Sequence, residues 1–125
     1  MLAFAAPPEL DALIRRLAAL ADGREAYVVG GTVRDVLLGR ATRDVDLAVA
    51  GDALAWARNV AAELGAHFVL LDEEHDVARL VLPEHDGLYI DVARLVGTVE
   101  QDARRRDFTI DALAVPIGGA PPRGR

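Results

Sequence analysis

The sequence predicts an α/β domain, or α+β by stricter naming, built on a mixed sheet of about five strands with helices packed against it. Two long segments repeat apolar residues at helical spacing, and shorter apolar segments between turn residues have the length of strands. Of the 125 residues, 52% are hydrophobic, enough for one core that buries roughly two thirds of the unfolded surface. We therefore expect a single domain.

The first half of the chain alternates helix and strand. Apolar residues recur on one face of the first helix, which Gly23 is placed to end. Asp52 is a good N-cap for a later helix that Gly65 ends, and Trp56 lies on the apolar face of that helix, so we expect it in the core. The predicted elements of this half are a helix at 9–22, a strand at 26–29, a helix at 32–38, a strand at 43–49 and a helix at 53–64.

The second half is predicted to be mainly strands. Two β-type segments flank a polar turn and indicate an antiparallel hairpin, and Thr98 opens a T-x-x-Q capping box for a short helix. Pro116 is expected to end the last apolar segment. The predicted elements are strands at 67–71, 77–82 and 88–93, a helix at 98–106 and a segment at 108–115 that returns to the core.

Composition excludes several classes of function. The chain has no cysteine, so disulfides and thiolate metal sites are excluded, and the absence of lysine excludes a P-loop. A net charge of -6 argues against broad electrostatic wrapping of nucleic acid. No apolar run approaches a membrane span and no secretory signal is evident, so the predicted location is the cytoplasm. The histidines, His67, His75 and His85, lack ligand spacing and receive no function.

A glycine turn between the first strand and the helix at 32–38 is the first part of a candidate site. Gly30 and Gly31 lack Cβ atoms, so the backbone there can approach a ligand closely. The helix that follows directs unpaired N–H groups towards the turn, an arrangement that binds phosphate. Arg34, one helical turn on, could bind a phosphate with its guanidinium or hold a carboxylate such as Asp35 or Asp44.

Two carboxylates in the next strand form the second part. Asp44 and Asp46 are two residues apart, so both side chains leave the same face of a pleated strand. Their repulsion is relieved by a divalent cation, and paired oxygen ligands beside a phosphate-binding turn suit Mg²⁺ chemistry on a nucleotide. Either element alone is common, and it is their spacing that indicates a site.

A third cluster lies in the segment DARRRDFTIDALA at 102–114. Ion pairs on a solvated helix, Asp102 with Arg106 and Arg104 with Asp107, would explain it structurally. Three consecutive arginines in a net acidic chain also suit a triphosphate held at the first two parts of the site.

The order YVVGGTVRDVLLG, RDVDLAV and DARRRDFTIDALA resembles the head domain of class II tRNA nucleotidyltransferases and bacterial poly(A) polymerases, within the DNA polymerase β superfamily. The resemblance covers residues 26–115. It implies a polymerase β-type fold, with Asp44 and Asp46 holding two catalytic Mg²⁺ ions. It also implies that Gly31 and Arg34 contact the phosphates of CTP or ATP, and that Arg106 and Asp107 meet the ribose and phosphates.

The implied reaction is in-line transfer of a nucleotide to an RNA 3′ hydroxyl by two metal ions. Asp91 is a candidate third carboxylate, because its strand could neighbour that of Asp44 and Asp46. The alternative is a solvated aspartate on an edge strand.

The sequence departs from the family pattern in three ways. Asp111 stands where the family usually has asparagine, and only residues 94–97 separate the strand of Asp91 from the arginine motif, as in CC-adding members. The chain also stops at Arg125, before the helical domains in which the family selects bases and binds tRNA. We therefore expect a head domain at 1–117 with an arm at 1–8, and a Gly/Pro-rich tail at 118–125 truncated from a longer parent.

Several functions stay open on the sequence. The parent could add CC, A, CCA or a poly(A) tail, and its oligomeric state is not predicted. A small-molecule nucleotidyltransferase is disfavoured by the arginine motif, and a non-catalytic nucleotide-binding module is disfavoured by the paired aspartates. A dinucleotide enzyme is disfavoured because the turn lacks a third glycine.

Overall fold

The computed structural model describes residues 8–29, 44–83, 87–97, 101 and 115–118. Within these ranges two helices pack on one mixed sheet, as the sequence predicts. The helices are α1 (Pro8–Ala21) and α2 (Ala53–Leu64). The strands are β1 (Ala26–Val28), β2 (Asp44–Val49), β3 (His67–Asp72), β4 (Val77–Leu82), β5 (Leu88–Arg94) and β6 (Val115–Gly118).

The ends of α2 are determined locally. The Asp52 carboxylate accepts a hydrogen bond from the backbone N–H of Ala55 at 3.0 Å, as an N-cap does. Gly65 follows the helix with φ 65°, in the left-handed conformation that glycine adopts without a Cβ penalty. Both predicted boundary residues are confirmed. The predicted helices at 32–38 and 98–106 lie outside the described residues, apart from Gln101.

The sheet has the strand order β3-β4-β5-β2-β1-β6. The only parallel pair among these six strands is β2 with β5, and the other neighbours are antiparallel. A parallel pair needs a crossover, which α2 and the β3–β4 hairpin supply. The predicted hairpin and the mixed character of the sheet are confirmed.

The expectation for Pro116 was wrong. Pro116 was predicted to end the last apolar segment, yet it lies inside β6 opposite Tyr27. β6 is one of the two edge strands among the described six, and its register against β1 shifts between Ala26 and Tyr27. Proline is tolerated at edges and irregularities because its missing N–H interrupts no continuous ladder there.

The core fills the space between one face of the sheet and the two helices. Alternate residues of β2, Val45, Leu47 and Val49, are buried there with apolar residues of α1 and α2. Trp56 is 5% exposed and its indole N–H donates to the carbonyl oxygen of Leu20 at 2.9 Å, which ties α2 to α1. The predicted core position of Trp56 is confirmed. No helix in the described part of the chain is long and apolar enough to span a membrane.

Candidate active site

β2 carries the two predicted carboxylates on the sheet face that neither described helix covers. Its burial alternates at the N-terminal end, with Asp44 exposed, Val45 buried, Asp46 half-buried and Leu47 buried. Because successive side chains of a strand point to opposite faces, burial of Val45 and Leu47 in the core directs both aspartates away from it. The sequence-based prediction that the two aspartates share one face is confirmed.

The entrance to the predicted glycine turn lies beside the second of these aspartates. The backbone N–H of Val29 donates to the carbonyl oxygen of Asp46 at 2.9 Å. Val29 is the residue directly before Gly30. The predicted turn therefore begins directly after a residue whose backbone is hydrogen-bonded to Asp46 of β2.

The neighbouring strand brings a third carboxylate to the same face. β5 pairs with β2 in parallel, with Asp91 in register with Asp46 and Tyr89 in register with Asp44. The prediction that the strand of Asp91 neighbours that of the paired aspartates is confirmed. The edge-strand alternative is wrong, since β5 lies between β4 and β2.

Arg79 of β4 donates hydrogen bonds to both oxygens of the third carboxylate, that of Asp91. Its Nε donates to Oδ1 of Asp91 at 2.8 Å and its Nη2 donates to Oδ2 at 3.1 Å. The guanidinium carbon also lies 4.6 Å from the ring centroid of Tyr89, a cation–π contact. Both carboxylate oxygens of Asp91 are therefore engaged by a single guanidinium.

The electrostatics of the face reflect this arrangement. The hydrogen bond from Arg79 to Asp91 is the main cause that raises the pKa of the Arg79 guanidinium above its ordinary value. The charges of Asp91, Tyr89 and Asp44 raise this pKa further, while partial burial opposes the rise. Arg79 therefore lies within electrostatic reach of Asp44 as well as of its direct partner.

The donor set fits a hard divalent cation at Asp44 and Asp46. Carboxylate oxygens are the ligands that Mg²⁺ prefers, and Mg²⁺ is usually held by one or two carboxylates together with water and substrate phosphates. Within the described ranges no group of three or more His, Cys, Asp or Glu side chains could hold a metal ion.

The other predicted site residues are not described. Gly30, Gly31, Arg34, Arg106 and Asp107 lie outside the described residues, and their roles stay predictions.

Two of the histidines can be located. His67 begins β3, and the ring Nδ1 of His75 lies 2.7 Å from the Asp72 carboxylate in the β3–β4 turn. The third, His85, lies outside the described residues, as does Asp111.

Arg79 and Tyr89 were not predicted to be members of this face. A signal existed, because Arg79 alternates with the apolar residues Ala78 and Leu80 of β4 and so must point away from the core. What was missing was the antiparallel register, which places Arg79 opposite Asp91 and can be derived only from the length of the intervening turn.

A family model for the poly(A) polymerase head domain matches residues 26–96. The chain belongs to this family, and the resemblance drawn from its motifs is confirmed. It is 43% identical to the CC-adding tRNA nucleotidyltransferase of Geobacter sulfurreducens over 96% of this chain and 30% of the relative. It is 40% identical to the A-adding tRNA nucleotidyltransferase of the same organism over 89% of this chain and 14% of the relative.

Solved structures show the same relationship. The Thermotoga maritima CCA-adding enzyme in complex with tRNA is 38% identical, with a TM-score of 0.79 over 90% of this chain and 27% of that one. A CCA-adding enzyme in complex with CTP is also 38% identical, with a TM-score of 0.78 and the same coverage. The chain thus spans less than a third of the length of these relatives.

Proposed function

We propose that this chain is the nucleotidyltransferase head domain of an enzyme that transfers CMP or AMP from CTP or ATP to the 3′ end of tRNA. The observation that carries the proposal is the arrangement at Asp46, whose strand presents two carboxylates and is hydrogen-bonded at the entrance to the glycine turn. The relatives named for CC, A and CCA addition support the tRNA substrate. The reaction is proposed for the cytoplasm, where tRNA and nucleoside triphosphates occur.

Asp44 and Asp46 are the residues proposed to hold catalytic Mg²⁺, in a two-ion site. When bound, Mg²⁺ would lower the pKa of the RNA 3′ hydroxyl and neutralise the triphosphate and its pyrophosphate leaving group. The chain itself contributes a rigid position for its carboxylates, because Val45 and Leu47 anchor β2 in the core on the opposite face. Asp91 adds a third carboxylate to the site, held by Arg79.

The nucleotide would lie between this face and the glycine turn. Gly30 and Gly31 allow close approach of the triphosphate, and Arg34 binds phosphate oxygens in this proposal. Arg106 and Asp107 would meet the ribose and phosphates. A complex of a similar enzyme with CTP supports the class of nucleotide.

Poly(A) addition is the second candidate, favoured by the family description, which is that of a poly(A) polymerase head domain. The two candidates share the chemistry of the head and differ in the primer and in the number of nucleotides added. Small-molecule nucleotidyl transfer and non-catalytic nucleotide binding are tested by the same assay.

The test is a chimera in which this chain replaces the head domain of the Geobacter CC-adding relative, incubated with labelled CTP or ATP, Mg²⁺ and tRNA lacking its 3′ end. We expect CMP incorporation, which Asp44→Asn or Asp46→Asn abolishes because each change removes a metal ligand without changing volume. Asp11→Asn, on α1 and paired with Arg15, is the control and should retain activity.

Transfer to a poly(A) primer instead of tRNA would favour the second candidate. Near wild-type turnover of either site variant at saturating Mg²⁺ would refute the metal assignment. Incorporation of labelled nucleotide into small alcohols alone would assign the chain to the small-molecule nucleotidyltransferases.

A further inference from the structure

Three carboxylates share the face of the sheet that α1 and α2 do not cover, and the one on β5, Asp91, is paired with the Arg79 guanidinium of β4. The Asp91 carboxylate is 23% exposed and the Arg79 side chain is 36% exposed, so the pair is partly shielded from water. Two parallel hydrogen bonds between a guanidinium and a carboxylate fix both groups in orientation as well as in charge. The pair is therefore a rigid part of the face.

The direction of the pair matters for the cation site. Asp46 and Asp91 are register partners on adjacent strands, where side chains on one face lie within contact distance. Both oxygens of Asp91 nevertheless accept hydrogen bonds from Arg79 of β4. Stacking of Arg79 on Tyr89, the register partner of Asp44, restricts the guanidinium to this position.

We infer that Arg79 is a positioning residue of the carboxylate site, which holds Asp91 away from the bound cation and cancels its charge, so that Asp44 and Asp46 alone ligate the metal. This inference rests on the proposed function for the identity of the metal pair. It assigns the third carboxylate an indirect role. Without Arg79, Asp91 would be a third negative charge beside Asp46 and could turn towards the cation.

The role predicts a pattern across single and double variants. Arg79→Gln leaves the Asp91 charge uncompensated, so the affinity for a divalent cation should rise about sevenfold, as expected for a unit charge roughly 7 Å from a doubly charged ion in water. Asp91→Asn leaves the Arg79 charge uncompensated and should weaken binding. The double variant Arg79→Gln/Asp91→Asn restores the charge of the wild type, so its affinity should lie within about twofold of the wild type.

The experiment is a titration of the 125-residue chain with Mn²⁺ in place of Mg²⁺, followed by the EPR signal of the free ion and without nucleotide or turnover. Arg58→Gln is the matched control, because Arg58 also stacks on an aromatic ring, that of Phe68 at 4.3 Å, but lies on α2 behind the sheet. It removes the same charge and should leave the Mn²⁺ affinity unchanged. Circular dichroism of each variant verifies that the fold is retained.

A loss of tenfold or more in Mn²⁺ affinity for the double variant would overturn the inference, because it would make Asp91 a direct ligand. An Arg79→Gln variant that binds Mn²⁺ no more tightly than wild type would also overturn it. Asp44→Asn and Asp46→Asn test the proposed function separately. If both retain Mn²⁺ binding, the metal assignment fails, whereas loss of binding in these two variants together with loss in the double variant refutes only the role of Arg79.

Discussion

Asp46→Asn should remove the stabilisation of this chain by Mg²⁺ while leaving its fold intact. Asp46 lies between Val45 and Leu47, which are 0% and 1% exposed, so the backbone of β2 is fixed by the core and not by the carboxylate. Asparagine has nearly the same volume as aspartate but provides no negative charge for a cation. The variant therefore separates metal binding from folding.

The size of the effect follows from linkage and spacing. A cation present at ten times its dissociation constant stabilises the folded chain by about 1.4 kcal/mol, which is roughly 4–7 °C in Tm for a domain of this size. Asp44 and Asp46 are about 6.6 Å apart along the strand, so their repulsion is about 0.6 kcal/mol in water and about 2.5 kcal/mol at an effective dielectric constant of about 20. Without metal, the variant should lose this repulsion, and its Tm should equal or exceed that of the wild type.

Thermal unfolding in EDTA and in excess MgCl₂ measures both quantities. The wild type and the control Asp11→Asn should gain Tm on addition of Mg²⁺, while Asp46→Asn should gain little. An equal gain for Asp46→Asn and wild type would refute the reasoning, because the cation would then bind elsewhere on the chain.

Three further predictions concern the nucleotide and the β3–β4 turn. Arg34→Lys and Arg106→Lys should each weaken CTP binding in calorimetry despite the preserved charge, since an ammonium cannot form the two parallel hydrogen bonds of a guanidinium; equal affinities would contradict this. The isolated chain should bind CTP and ATP with similar affinities and tRNA negligibly at physiological salt, because its net charge is -6; salt-resistant tRNA binding or a clear base preference would place selection in this domain. The hydrogen bond with the His75 side chain is the main cause that lowers the pKa of Asp72. The stability that this interaction contributes to the folded chain is therefore present above the ordinary pKa of aspartate and is lost as the pH falls through the lowered pKa. An NMR titration of His75→Ala should show that the pKa of Asp72 rises.

The parts of the fold that depend on neighbours in sequence could be predicted. The ends of α2 follow from one residue each, Asp52 and Gly65, because capping is a local interaction. The shared face of Asp44 and Asp46 follows from strand alternation alone. These features need no knowledge of the rest of the chain.

The parts that depend on strand order and register could not be predicted in the same way. Pairing of β2 with β5 joins residues more than forty positions apart in the chain, and no local pattern specifies it. The position of Arg79 opposite Asp91 depends on that order and on the register of β4. Pro116 was misassigned for a related reason, because proline within a strand is tolerated only where the strand lies at an edge, and edge position is a property of the whole sheet.

The alternation that builds the core also determines the chemistry of the opposite face of the sheet. Val45 and Leu47 of β2 and Ile90 of β5 are buried in the same core, so Asp46 and Asp91, each next in sequence to one of them, must both point outward. A slip of one residue in either strand would exchange the two faces and bury a carboxylate, at a cost far above that of any exposed ion pair. The hydrophobic core therefore excludes the strand registers in which the three carboxylates would lie on different faces of the sheet. On the face that this alternation defines, Arg79 holds both oxygens of the third carboxylate.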